Sequence, residues 1–462
     1  MNRDATGPRI GIALLGKGAT NHLHRPEVVE AFRRRGAEVI FVVRDDYETL
    51  LERIPGCAYV PCRFAPERGT LGAWRARFRY LRRMYPAGDP GVREFHRRMV
   101  RGRGIRYRIL HELLSLAARS RAVMRAAVAL EAFLYRADTV EGLDPRMFDG
   151  LLILGIGIAG SPLEGMLTWW ARRQGIPVVH MVGNYDNLSS QGFRGVPVER
   201  ILVWGESMQR DAVALQGIPA DKIGTIGTVR YDAIDRVIKE DRPRFLRALG
   251  LDPARKTILF AGSLSEYHYF EAMSVLHDLR RLGEDVQLIM RVYPNKTLMN
   301  SPYMEPLLDH ASRVPGVYVS LADPHYRKGV RERDVLQIEE TELWHSLRYS
   351  DVVVNIFSTI ALEAGVFDKP AVNMWYFGWP GRLAASPAVW KPFPGLIHNR
   401  RMGSYGAIPV AGSRQELVAE IRKALSIKIG TLVDFVVEKG ALVIRPKRLV
   451  DEDQAWFWTE EW

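Results

Sequence analysis

Short apolar runs alternate with stretches of helical periodicity almost from the first residues of the chain. That rhythm predicts parallel strands wrapped by helices. Strands are expected over 10–15, 37–43 and, more weakly, 58–64, with Gly16-Lys17-Gly18 after the first and a helix over 26–35 stopped by Gly36. The alternation resumes with strands at 151–156, 176–182 and 201–204 and helices at 162–174 and 206–215. Gly175 and Gly217 stand where a helix end favours a left-handed residue. A second series follows, with strands at 257–262, 286–292, 317–321, 351–357 and 371–374. The charged stretch 232–255, containing Pro243 and Pro253, reads as the junction. From 426 onward the pattern turns β-rich over 428–444 and then gives way to a tail bearing Trp456, Trp458 and Trp462, which argues for docking on another surface.

The expected fold is therefore α/β, with two tandem Rossmann-like doubly wound domains over 1–230 and 231–425 and a docking β-rich tail over 426–462. A chain of 462 residues is long enough for each domain to bury its own core.

Charge changes this picture in one place. Residues 63–136 hold 18 Arg, no Lys and five acidic residues, a net +13, whereas the whole chain carries +12. The segment reads as a basic helical insertion in the first domain, with Leu, Met, Ala and aromatic residues recurring between the arginines at helical spacing. Its alternative is a helical insertion with solvated arginines. The apolar fraction of 47% and charged fraction of 26% are those of an ordinary globular chain, so extensive disorder is not expected. Residues 1–9 lack an apolar leader segment, and the longest uncharged apolar stretch, 151–160, is about ten residues where a spanning helix needs about twenty. Neither secretion nor a membrane span is expected. Cys57 and Cys62 are too few for a disulfide framework and read as buried thiols of a reducing compartment. No His, Cys or carboxylate cluster has zinc spacing. Gly11 to Gly18 nearly spells a P-loop, but its intervening residues form an apolar strand and its last position lacks a hydroxyl, so ATPase chemistry is set aside. The acidic 451–453 cluster lies in the tail and reads as solvated.

The candidate chemistry sits at strand ends. In 350–370 an apolar strand feeds into Ser358 and Thr359, which would open a helix whose free N–H groups attract a phosphate. Glu363, four residues beyond Thr359, would share its face and accept ribose hydroxyls. A simple N-cap with a solvated Glu is the alternative. Gly262 and Ser263 follow another strand at the same edge, and Arg291 ends a third, where its guanidinium could pair a pyrophosphate or merely a surface carboxylate.

With these motifs the second half resembles the nucleotide-binding domain of GT-B glycosyltransferases. It is most similar to the branch of CDP-glycerol glycerophosphotransferases and UDP-N-acetylglucosamine 2-epimerases. In that group an Arg-x-His-Pro-like turn, a Ser-Ser or Ser-Thr pair after a strand and a carboxylate down the helix hold the nucleotide diphosphate; here Tyr293 stands where the His is common. The first half is similar to the GT-B opening, in Gly18-Ala-Thr-Asn-His-Leu-His-Arg-Pro26. Alignment on Pro26 puts Leu23 at the family's His position, flanked by His22 and His24. The resemblance implies that one of them, His22 before His24, is the base that deprotonates an acceptor hydroxyl; a helix-capping histidine is the alternative. A third block, 183–192 with 203–206 and 227–232, places Asp186 in a strand-end loop, to orient or replace the histidine or to shape an Asx-turn.

The resemblance implies a cytoplasmic glycosyltransferase that moves a sugar from a nucleotide diphosphate to a hydroxyl of a cell-envelope glycan or lipid-linked acceptor. Gly18, Gly262, Ser263, Arg291, Ser358, Thr359 and Glu363 would bind substrate, without a metal or other cofactor. The basic segment implies contact with an anionic membrane face. Two rivals stand beside this reading. A nucleotide-sugar 2-epimerase would need several acid/base carboxylates, and only Asp186 is evident. A non-catalytic polyanion-binding protein would suit the pI of 9.7, yet no RNA-binding or helix-turn-helix signature is present, so nucleic acid is not expected.

Overall fold

The computed structural model describes residues 7–426 apart from 47, 49–50, 66–67, 101–102, 136–139, 156–161, 263–264, 294–295, 322–339 and 377–391, together with the backbone of Val433–Glu438 and Ala441–Pro446. Ser263 and the tail tryptophans lie outside the described residues.

The first sheet contains β1 (Arg9–Leu14), β2 (Glu38–Arg44), β3 (Ala58–Phe64), β4 (Val140–Glu141), β5 (Gly150–Gly155), β6 (Val178–Val182), β7 (Arg200–Val203) and β8 (Ile223–Thr225), in the order β4-β3-β2-β1-β5-β6-β7-β8. All pairs are parallel except β3 with β4. In β1 Ile12 lies opposite both Phe41 and Leu152. Successive residues of these strands point to opposite faces. Ile12, Leu14, Phe41 and Val43 therefore pack on Leu23 and Val29, while Ala13, Val42 and Ile153 pack on Leu167 and Trp170. Both faces are covered, as an interior parallel sheet requires. Gly11 belongs to this packing: a Cβ there would stand 2.3 Å from the Leu151 side chain and 2.8 Å from Phe148.

The second sheet contains β9 (Lys256–Ala261), β10 (Val286–Val292), β11 (Val317–Leu321), β12 (Val352–Asn355), β13 (Ala371–Met374) and β14 (Val410–Ala411). It is wholly parallel, in the order β11-β10-β9-β12-β13-β14. Ile258, Phe260, Leu288 and Met290 pack on one face, and Leu259, Ile289 and Val353 on the other, against the fully buried Trp344. Two doubly wound α/β units in tandem are the expected GT-B architecture. A separate antiparallel hairpin pairs β15 (Val433–Glu438) with β16 (Ala441–Pro446).

Differences from expectation have local causes. β4, β8 and β14 are two or three residues long, too short to carry a period. Residues 17–23 form a helix, Lys17–Leu23, so His22 lies in a helical last turn. The next helix, Pro26–Arg33, ends two residues earlier than its pattern suggested, with Gly36 at φ 74° reversing the chain. The basic insertion, between β3 and β4, comprises helices Gly69–Arg83, Pro90–Met99, Ile105–Ala117 and Arg121–Leu134. Its own core joins Met84, Tyr85, Met124 and Val128 to Phe193, and its buried Glu131 pairs with Arg82. Among the described residues no helix is long and apolar enough to cross a membrane.

Leu259, fully buried at the centre of the second sheet, supports the face that packs on Trp344. Leu259→Ala is expected to destabilise the protein by about 2–5 kcal/mol, read as a lower urea midpoint. An unchanged midpoint would contradict this assignment of the core.

Candidate functional site

Parallel strands bring their carboxyl ends to one edge, and the chain reverses its strand order between β1 and β5 and between β9 and β12. Crevices beside such reversals are where α/β sheets gather ligand-binding loops. The first sheet contributes helix Lys17–Leu23 after β1, the 183–193 loop after β6, Trp204 after β7 and the turn to Arg230 after β8. The second contributes residues 356–359 after β12, ahead of helix Ile360–Val366. Helix Ile397–Ser404 reaches back to the first half of the chain.

The β12 turn is held in an unusual conformation. Phe357 adopts φ 46°, left-handed for a residue with a side chain. Its N–H donates to Asn373 Oδ1 at 3.0 Å, and the Ser358 N–H donates to Asn355 Oδ1 at 3.0 Å. Asn355 and Asn373 are buried at the ends of β12 and β13, so the fold over-determines a costly backbone state. Thr359, presented by this turn, donates to Asn184 Oδ1 at 3.2 Å across to the first sheet. One helical turn on, Glu363 accepts from Arg230 Nη1 at 3.0 Å, with only 3% of the carboxylate side chain exposed. The Arg230 guanidinium also lies 5.1 Å from the Trp344 ring centre.

His22 is buried beside this pair. Burial first, then the Arg230 and Arg25 charges, lower its pKa to about 3, so the ring is neutral near pH 7. Its Nδ1 has no partner among the described residues, and its ring is 6.5 Å from Trp204. His24 is engaged differently: Nε2 is 2.7 Å from the Tyr59 hydroxyl, and burial lowers its pKa to about 4. The structure thus separates the two histidines by surroundings. Gly18 lies half-buried in the first turn of the helix that carries His22.

Asp186 is tied within its own loop, accepting from Gln191 Nε2 at 2.7 Å and Asn187 Nδ2 at 3.2 Å. That loop also meets helix Ile397–Ser404: the Tyr185 hydroxyl donates to Asn399 Oδ1 at 3.2 Å, and Ser189 and Ser190 lie 3.2 and 3.0 Å from His398 Nδ1. On the second sheet Gly262 has no room for a side chain, since a Cβ would stand 2.2 Å from the Tyr269 ring. Arg291 is buried, donates to Ser320 at 3.0 Å and lies 3.6 Å from Glu342, toward β11. Among the described residues no group of three His, Cys or carboxylate side chains is placed to hold a metal ion.

Of the sequence candidates, Thr359 and Glu363 bond to first-sheet partners and His22 lies close to the Arg230 charge, whereas Arg291 and His24 are occupied elsewhere. Sequence reasoning singled out neither Arg230 nor Asn184, because their partners are more than 130 residues away in the chain. It also passed over Glu266, fully buried in the first turn of helix Glu266–Arg281 with both carboxylate oxygens unpartnered among the described residues.

No family model matches the chain, and no curated protein matches its sequence. Solved structures do match it in fold. A putative UDP-N-acetylglucosamine 2-epimerase from Listeria monocytogenes has 12% identity and TM-score 0.51, over 91% of this chain and 88% of that one. The S. aureus MnaA-UDP co-structure has 9% identity and TM-score 0.50, over 91% and 89%. A glycosyltransferase from Rickettsia africae ESF-5 has 8% identity and TM-score 0.45, over 92% and 89%. The first two likenesses are of fold, and they agree with the two-sheet GT-B architecture.

Removing Glu363 takes a carboxylate away from the largely buried Arg230 guanidinium. Glu363→Ala should cost about 2 kcal/mol in urea denaturation, below the ~3–5 kcal/mol of a fully buried pair because Arg230 keeps a fifth of its side chain exposed. The neutral buried histidines give a further expectation. Burial lowers His398 to about 4, beside His22 at about 3. The unfolded chain protonates both below about pH 6.5 while the folded chain does not. Stability is therefore full above that pH and falls as pH drops toward the folded values, by up to roughly 2 kcal/mol per histidine at pH 5. A melting temperature that holds between pH 7 and 5 would contradict this.

Proposed function

We propose that the chain is a GT-B glycosyltransferase that moves a sugar from a nucleotide-diphosphate donor to a hydroxyl of a cell-envelope glycan or lipid-linked acceptor, at the cytoplasmic, anionic face of a membrane. The observation that carries the reading is the meeting, across two sheet edges, of the Arg230–Glu363 pair and the Thr359–Asn184 bond beside neutral His22. A donor diphosphate needs a cation and hydroxyl or N–H donors, which Arg230, Ser358 and Thr359 supply, with Gly262 on the same edge; its sugar and ribose hydroxyls need an acceptor such as Glu363. Arg291, held by Ser320 and Glu342, positions the end of β10. In the reaction the acceptor oxygen forms a bond to the anomeric carbon, its proton passes to His22, and the bond to the diphosphate breaks, with the electron pair leaving on phosphate. Arg230 stabilises that leaving charge, so no divalent metal is required. A bound diphosphate offsets Arg230 and Arg25, two of the causes that keep His22 weakly basic, and so raises its basicity when the donor is present.

A second reading is favoured by Glu266. A nucleotide-sugar 2-epimerase-like isomerase inverts a sugar carbon with acid/base groups, and this buried carboxylate in the helix after β9 is an acid/base candidate in addition to Asp186.

Thermal-shift titration with UDP, GDP, CDP and dTDP and their sugar conjugates, in metal-free buffer, tests the site. Selective stabilisation by one nucleotide is expected, and weakened by Glu363→Ala or Thr359→Ala. No shift with any of them in folded protein would overturn the site. His22→Ala should lower kcat of transfer about 10²–10⁴-fold with donor affinity kept. Appearance of the sugar's C2 epimer without an acceptor would select the isomerase.

A further inference from the structure

Twelve of the twenty large hydrophobic residues exposed among the described residues lie in the basic insertion, between Leu71 and Phe133. Exposed apolar side chains on a soluble surface are normally scattered singly, so this concentration calls for a cause. The insertion is built with part of its polarity reversed. Helix Ile105–Ala117 buries only His111 and Ser115, while Ile105, Ile109, Leu113 and Leu116 face outward. Those positions are three or four apart and form one stripe along the helix. In helix Arg121–Leu134 the buried side includes Glu131, whereas Leu130 and Phe133 face outward, Phe133 at 84% exposure. Helix Gly69–Arg83, which packs against both, exposes Trp74 with the Arg77 guanidinium 4.8 Å from its ring centre.

Charge decides what covers this face. Arg103, Arg106, Arg108, Arg119 and Arg125 are exposed on or beside the same helices, within a segment of net +13. Pairing the face with a second copy would set like charges against each other. An anionic bilayer supplies both complements, phosphate headgroups for the guanidinium groups and acyl chains for the apolar stripes. Tryptophan beside a cation is at home at that boundary. We infer that the outward face of these three helices is a membrane-insertion surface, lying in the plane of an anionic bilayer with its apolar stripes below the headgroups. The inference rests on the membrane reading under the proposed function and adds its contact surface and an apolar component that salt does not screen.

The test is flotation of the full chain with vesicles of phosphatidylcholine alone or mixed with phosphatidylglycerol, at low and high salt. Binding to the mixed vesicles is expected, with a fraction retained at high salt. The variant carrying Leu113→Ser, Leu116→Ser, Leu130→Ser and Phe133→Ser should lose roughly tenfold or more of that binding and all of the salt-resistant fraction. Since these side chains are exposed, its melting temperature should match the parent's, which separates lost contact from lost fold. Equal binding by parent and variant would overturn insertion and leave a purely electrostatic contact. Absence of parental binding to any vesicle would overturn both insertion and the membrane reading, leaving the nucleotide site to its own titration. Self-association in sedimentation that the variant abolishes, without vesicle binding, would overturn the inference by assigning the face to a second copy.

Discussion

Parallel pairing is the constraint from which the rest follows. Apart from β4, every strand of both main sheets runs parallel to its neighbours, so each must be followed by a crossover before the next can pair. The crossovers cover both faces with helices, which is why the central strands are apolar without alternation. The carboxyl ends meanwhile collect along one edge of each sheet. His22 after β1, Asn184 after β6, Arg230 after β8 and Thr359 after β12 are neighbours only because the strands that deliver them point the same way.

Among the described residues several polar bonds join the two halves. Beyond the bonds at the β12 turn, Arg401 grips Asp211 at 2.6 and 2.8 Å, Arg400 lies 2.5 Å from Asp89, and Arg236 lies 2.5 Å from Glu27. An aromatic contact joins Phe95 and Phe393, with ring centres 5.7 Å apart. Polar bonds exchange with water at modest net cost, whereas separating apolar surface does not. The directional bonds of the seam help to set the orientation of the two halves. The cores of the two sheets do not depend on it.

Much of the architecture was legible in the sequence because buried parallel strands leave continuous apolar runs. β1, β2, β9, β10 and β12 could be read that way; β4, β8 and β14 could not, since two or three residues have no period. Side-chain direction was harder. Arg291 ends a strand at the expected edge, yet turns to Ser320 and Glu342, and nothing local announces that partner. His22 and His24 are nearly equivalent in sequence and are distinguished only by Tyr59 on one side and Arg230 on the other. In the insertion the helical period was visible, but a period states that a helix has an apolar stripe and not which way the stripe faces.

The insertion holds 18 arginines and no lysine. Guanidinium groups stay protonated at any pH a cell reaches, and arginine offers no primary amine for acetylation. The electrostatic character of this segment is thus constitutive. Neither acidification nor lysine-directed modification can dim it, so the supply of negative charge on the opposing surface becomes a principal variable in what it touches.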